Sequence, residues 1–131
     1  MEIVAEAQAG QNLKMRRVLV IYVSLVILLS LLPTPSRGPS LGYLSEAFHF
    51  FAYSGMAVLA LLSFGSKKAG FVALLSAVGL GALLEWGQSY VPGREMSLTD
   101  GITNTLGVLS GALFFRFHGH VLINWLRSYL E

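Results

Sequence analysis

The chain contains no cysteine, which removes disulfides, thiolate metal centres and cysteine nucleophiles from consideration. It is also poor in charge. Only 12% of residues are Asp, Glu, Lys or Arg, against roughly 25% in a soluble domain. With 54% hydrophobic residues and a mean hydropathy of +0.64, the side chains outnumber what a water-facing surface tolerates, so most must meet lipid. The 131 residues leave no room for a second domain, and nothing suggests a soluble module, a coiled coil or a solenoid repeat. A net charge of +2 and the absence of a basic cluster with interleaved aromatics give no sign of a nucleic-acid partner.

What is present is four apolar stretches. Met1 to Asn12 is polar and mixed. Lys14, Arg16 and Arg17 precede the first apolar run, Val18 to Leu32. The pattern resembles a signal peptide, but Leu31-Leu32-Pro33-Thr34-Pro35 offers no small-x-small cleavage site, and an uncleaved span is the better reading. Pro33 to Tyr43 holds three prolines and two glycines and cannot continue a helix. Further runs cover Ala47 to Phe64, Ala69 to about Val91, which ends before Pro92-Gly93, and about Leu98 to Phe117. The last is expected to close at a His118-Gly119-His120 turn. Val121 to Glu131 is amphipathic and suits a helix lying on the membrane surface.

Orientation follows from the basic residues. With the amino terminus inside, Lys14, Arg16, Arg17, Lys67, Lys68, Arg116 and Arg127 face the cytoplasm, and of the nine Lys and Arg only Arg37 and Arg94 face out. The expected architecture is therefore an all-α, polytopic four-helix bundle with both termini cytoplasmic. It divides into an N-terminal tail (1–17), a membrane domain (18–117) and an amphipathic C-terminal tail (118–131), and its expected address is a bacterial cytoplasmic membrane.

Ionisable groups at membrane depth cost several kcal/mol unless paired or wetted, so each needs a reason. Glu46, His49 and Tyr53 mark the start of the second span, and Glu85 and Gln88 the end of the third. Arg94, Ser97 and Thr99 follow in the turn, and Asp100 and Asn104 open the fourth span. The topology places all of them in the outer leaflet. Asp100, Asn104, Gly107 and Gly111 share one stripe, and Ala73, Ala77, Gly81 and Glu85 form an i+4 ridge. Gly81, Gly107 and Gly111 are expected to serve close helix packing. Each polar residue also has a plainer explanation. His49 suits an interfacial hydrogen bond, Asp100, Ser97 or Thr99 can cap the fourth helix, and Arg94 can pair with Glu85 or Asp100. Glu85, flanked by Leu83, Leu84 and Trp86, is the hardest to dismiss. Lys67-Lys68 reads as an orientation signal. No cofactor and no metal are expected: His118 and His120 lack further ligands, and a metal held by His49, Glu85 and Asp100 has no support from spacing.

The segment Glu85-Trp86-Gly87-Gln88 before Pro92-Gly93-Arg94, followed by Asp100 and Asn104-Thr105-Leu106-Gly107, closely resembles the VanZ-like membrane protein family. His49-Phe50-Phe51-Ala52-Tyr53 and Ser30-Leu31-Leu32-Pro33 resemble its other blocks, so the likeness covers roughly residues 18–117. One departure matters: where the family often has Asp-Lys ahead of the histidine, this chain has Ser45 and Glu46, so a role for that lysine does not carry over. The resemblance implies a membrane fold and a set of suspect residues. It also implies a link to low-level resistance to the glycopeptide teicoplanin, by a mechanism that is not established, and it names no reaction.

Three functions fit these residues. The first is a cell-envelope accessory protein, whose partners are the lipid bilayer and a polar lipid, lipid-linked wall precursor or glycopeptide. That ligand would be held by His49, Tyr53, Glu85, Gln88, Arg94, Ser97, Asp100 and Asn104. The second is a membrane-embedded enzyme with His49, Glu85 and Asp100 as acid–base groups, weakened by the lack of any hydrolase or transferase signature. The third is a structural subunit whose polar cluster locks the bundle. Transport is disfavoured, since four short spans show no inverted repeat or broken helix at the midplane.

Overall fold

A computed structural model describes the backbone of residues 2–33 and 42–130, and side chains within 12–33 and 43–129. Among these residues all regular structure is helical: α1 (Glu2–Leu31), α2 (Gly42–Ser63), α3 (Lys67–Gln88) and α4 (Leu98–Leu130). The proline-rich connector expected at Pro33 to Tyr43 falls for the most part outside the described residues. Three helices contain stretches long and apolar enough to cross a membrane: Tyr43–Ser63, Lys67–Gln88 and Leu98–Tyr129. At 1.5 Å per residue, 21 or 22 residues span about 32 Å, close to the ~30 Å hydrocarbon core of a bilayer. Their outward faces carry Phe51, Phe71, Leu75, Leu83, Ile102 and Leu109, all exposed.

Two boundaries differ from the sequence reading. α1 begins at Glu2, so the polar segment read as an N-terminal tail is helical and continuous with the first apolar run. α4 runs through His118-Gly119-His120 without a turn. The reason is local. A helical glycine costs only about 1 kcal/mol relative to Ala, no proline follows, and the Phe115 ring lies over buried Gly119.

The most extensive pairing is between α2 and α4, and it follows from the absence of side chains on α4. A Cβ on Gly107 would stand 2.5 Å from the Phe50 carbonyl oxygen, and one on Gly111 would run into the Ser54 carbonyl and lie 3.0 Å from the Ala57 methyl. The two helices therefore meet backbone to backbone. Tyr53, Met56, Ala57, Ala77 and Val108 make the buried core beside this seam. The small-residue ridge on α3 behaves differently along its length. Gly81 packs against the Tyr53 ring and Asn104, whereas Ala73 and Ala77 line an apolar cavity of about 590 Å³ between α1, α2 and α3.

α1 lies antiparallel to α2 and is fastened by polar contacts to backbone carbonyls. At one end Arg16 Nε donates to Ser63 O (3.2 Å) and its guanidinium stacks over Phe64 at 5.1 Å, placing a cation at the C-terminus of α2, where the helix dipole favours it. Midway, Tyr22 Oη donates to Ala52 O (2.9 Å). At the far end, Gln88 Nε2 donates to Ser30 O (3.2 Å).

Candidate functional site

The α3–α4 connection sets the geometry of the polar end. Val91-Pro92-Gly93-Arg94 closes a turn through the Arg94 N–H to Val91 O bond (3.0 Å), with Pro92 at its second position and Gly93 at φ 77°. That is the type II arrangement, in which Pro supplies the fixed φ and Gly the left-handed one. The turn delivers the Arg94 side chain to the end of α1, where Nε donates to Leu32 O (3.2 Å) and Nη2 to Leu29 O (2.9 Å). The guanidinium thereby satisfies carbonyls that the helix itself leaves open.

Ser97 then caps α4. Its hydroxyl accepts from the Asp100 N–H (3.1 Å), as a serine cap does, while its own N–H donates to Glu85 Oε2 (3.3 Å). Of the cap candidates read from sequence, Ser97 fills the position and Asp100 sits in the first helical turn. The i, i+4 relation then brings Asn104 one turn below Asp100 on the same face.

Opposite that face stands His49 of α2. Its Nδ1 lies 2.9 Å from Asn104 Oδ1 and 3.8 Å from Glu85 Oε1, and its Nε2 lies 3.8 Å from Asp100 Oδ2. One imidazole is thus flanked by two carboxylates from two other helices. Glu85 is 4% exposed, Asn104 1% and Tyr53 1%. Tyr53 Oη, Glu85 Oε1 and Asn104 Nδ2 are buried with no hydrogen-bond partner among the described residues. An orphaned buried polar atom costs on the order of 1–3 kcal/mol, and here three such atoms belong to neighbouring side chains.

Two cavities flank the cluster. One, of about 240 Å³, opens between α1 and α2; His49, Tyr53, Ser30, Ser45 and Arg94 face it, with apolar walls from Val26, Leu29 and Phe48. The other, about 420 Å³, lies between α3 and α4, with Glu85, Ser97 and Thr105 among apolar neighbours.

Of the site residues expected from sequence, His49, Glu85, Asp100 and Asn104 converge, Tyr53 borders them and Ser97 organises two of them. Gln88 donates to the Ser30 carbonyl of α1, and Arg94 donates to the Leu29 and Leu32 carbonyls while lining the cavity beside His49 and Tyr53. Sequence reasoning missed Arg16, Tyr22, Ser30 and Ser45. Tyr22 carried a signal, as the only aromatic in the run from Val18 to Leu32.

A family model described as VanZ/LLP1 matches residues 6–122, which takes in α2 and α3, most of α1 and α4 and every residue of this cluster. No curated protein and no solved structure gives a significant match.

Proposed function

The chain belongs to the VanZ/LLP1 family, and on that premise we propose that it is a four-span cell-membrane protein of a bacterium which holds the polar head of an amphiphile at the end of the bundle carrying His49. The reading places both termini in the cytoplasm and the His49 end in the outer leaflet, as the distribution of Lys and Arg favours. A fourth span is supported by α1. Its segment from Arg16 to Leu32 runs beside α2 from Ser63 upward to the α3–α4 turn, so it shares the depth of a helix that is itself a span.

The observation that carries the binding reading is the 240 Å³ cavity in which His49, Tyr53 and Arg94 meet apolar walls. That pairing of a hydrocarbon-lined slot with a few converging polar groups suits a ligand with a charged head and an acyl tail. The shared chemistry is an anionic phosphate head on a hydrocarbon chain, which a polar lipid or a lipid-linked wall precursor would supply. In the same reading a glycopeptide such as teicoplanin competes for the slot or for its ligand. Arg94 contributes charge from a position fixed by α1, and Gln88 serves the bundle.

The test is to extract wild type, His49→Ala and Tyr53→Phe with their surrounding lipid into polymer nanodiscs. Bound amphiphiles are quantified by mass spectrometry, with membrane abundance and the teicoplanin inhibitory concentration of the host measured in parallel. The expected result is one anionic amphiphile enriched over the bulk membrane in wild type and depleted in both variants at unchanged abundance. A wild-type lipid profile identical to the bulk membrane overturns the reading, and loss of the variants from the membrane supports a structural role instead.

The flanked imidazole favours a second reading, a membrane-embedded acid–base enzyme with His49 as the proton carrier between Glu85 and Asp100. Turnover of the bound amphiphile by wild type but not by His49→Ala distinguishes it from binding alone.

A further inference from the structure

The three donors whose sequence spacing gave no hint of a metal are brought together by packing. One donor atom each from His49 of α2, Glu85 of α3 and Asp100 of α4 all lie within 4.8 Å of one another. We infer that these three side chains form a binding site for a single divalent transition-metal ion of the Zn²⁺ class, with at least one coordination position left open.

The distances are those of an open site that closes by side-chain movement. Metal–ligand bonds of 2.0–2.2 Å in a tetrahedron place neighbouring donors roughly 3.4 Å apart. His49 approaches Asp100 through Nε2 (3.8 Å) and Glu85 through Nδ1 (3.8 Å); with one donor atom from each residue the set lies within 4.8 Å, so a contraction of up to about 1.4 Å gathers it around one ion.

The surroundings point the same way. The contact between His49 Nδ1 and Asn104 Oδ1 requires the proton on Nδ1, because an amide oxygen only accepts. The lone pair therefore sits on Nε2, on the side of Asp100. A ligating histidine whose other nitrogen donates to a carbonyl is the usual outer-shell arrangement. Glu85 is anchored through Oε2 by the Ser97 N–H, which leaves Oε1 buried, partnerless and 3.8 Å from His49. The Tyr53 hydroxyl, also buried without a partner, is within electrostatic reach of the Glu85 carboxylate. Unsatisfied buried acceptors of this kind are what a cation satisfies.

Charge supports it too. Two carboxylates side by side at membrane depth repel, and burial raises the cost. With neutral His49, a divalent ion brings the set to zero net charge. One imidazole nitrogen with two carboxylate oxygens suits first-row transition ions, whereas Mg²⁺ and Ca²⁺ take oxygen ligands. His118 and His120 offer a contrast. His118 stacks on Phe114, and both are exposed.

The test uses the full chain in nanodiscs of a zwitterionic lipid, stripped with a chelator and dialysed against Zn²⁺. Metal content is read by elemental mass spectrometry, and no amphiphile is needed, so this inference and the headgroup reading fail separately. One Zn²⁺ per chain is expected in wild type and in a His118→Ala/His120→Ala double variant. Glu85→Gln and Asp100→Asn should lose it, and Asn104→Ala should weaken it roughly 10- to 100-fold by freeing the imidazole. Because core variants can misfold, a second measurement uses only the double variant. Loaded with Mn²⁺, it should show coupling of the electron spin to a histidine nitrogen, which only His49 can then supply. Absence of stoichiometric metal in wild type overturns the site, as does metal retained in both carboxamide variants or metal lost in the double variant. An uncoupled Mn²⁺ spectrum overturns it equally.

Discussion

Substituting Gly107 by Ala tests whether the α2–α4 seam sets the polar cluster above it. The added methyl would sit 2.5 Å from Phe50 O and 3.2 Å from Ser54 N. A relaxed carbon–oxygen contact is at least ~3.3 Å, so α4 must retreat by about 0.8 Å at this point. Both atoms it meets are backbone, which cannot rotate aside. Asn104 lies one turn away on α4 and His49 immediately precedes Phe50 on α2, so the same retreat would lengthen their 2.9 Å contact to about 3.7 Å, outside hydrogen-bond range. Overpacking costs about 1–3 kcal/mol, and the lost interhelical bond adds about 0.6 kcal/mol. Together they amount to a destabilisation of about 2–3.5 kcal/mol. Reversible unfolding in mixed micelles, followed by helical circular dichroism, measures it, and the ¹⁵N shifts of the His49 ring report the broken bond. Gly79→Ala is the matched control, because a Cβ there meets nothing within 4 Å and Ala is the better helix former; it should be neutral or slightly stabilising. The reasoning fails if the two variants unfold within about 0.5 kcal/mol of each other, or if Gly107→Ala leaves the His49 shifts unchanged.

Arg94→Gln should free the end of α1, since two charge-assisted bonds worth about 1.5–3 kcal/mol each at most are lost. Faster amide exchange confined to the last turn of α1 and the α3–α4 turn is the expected signature, and Arg94→Lys should restore little of it because a single ammonium cannot reach two carbonyls in a fork. Gly93→Ala should lower stability by about 1–2 kcal/mol, the penalty of an L side chain in the left-handed region, while Gly93→Asn, which tolerates that region better, should lose less; unfolding of the three proteins side by side decides it.

Much of the site was legible because its grammar is local. Asp100 and Asn104 had to share a face by helical spacing, the Pro92-Gly93 pair had to turn the chain, and glycines four apart had to mark a close contact. What joined these pieces was depth: basic residues in the loops fixed which helix ends lay together, and His49, Glu85 and Asp100 were then neighbours in height. The targets of Gln88 and Arg94 were not legible, because both reach carbonyls of α1, and a carbonyl carries no side-chain signature. The same holds for Arg16 at the end of α2. Nor could the ridge on α3 reveal that it closes on Tyr53 and Asn104 at Gly81 and opens onto a cavity at Ala73, which depends on how the other helices are placed. The unbroken course of α4 past Gly119 was hidden because a glycine between two histidines is equally at home in a turn or in a helix roofed by Phe115.

The grip of Arg94 on α1 has a consequence for how the protein is made. Leu29 and Leu32 leave the ribosome 65 and 62 residues before the arginine that closes their carbonyls. Two further helices are thus made before the Arg94 contact to α1 can form, and until the α3–α4 turn has been placed the Leu29 and Leu32 carbonyls lack that donor. Chains stalled or truncated before that turn carry an α1 whose Leu29 and Leu32 carbonyls have yet to meet the Arg94 guanidinium.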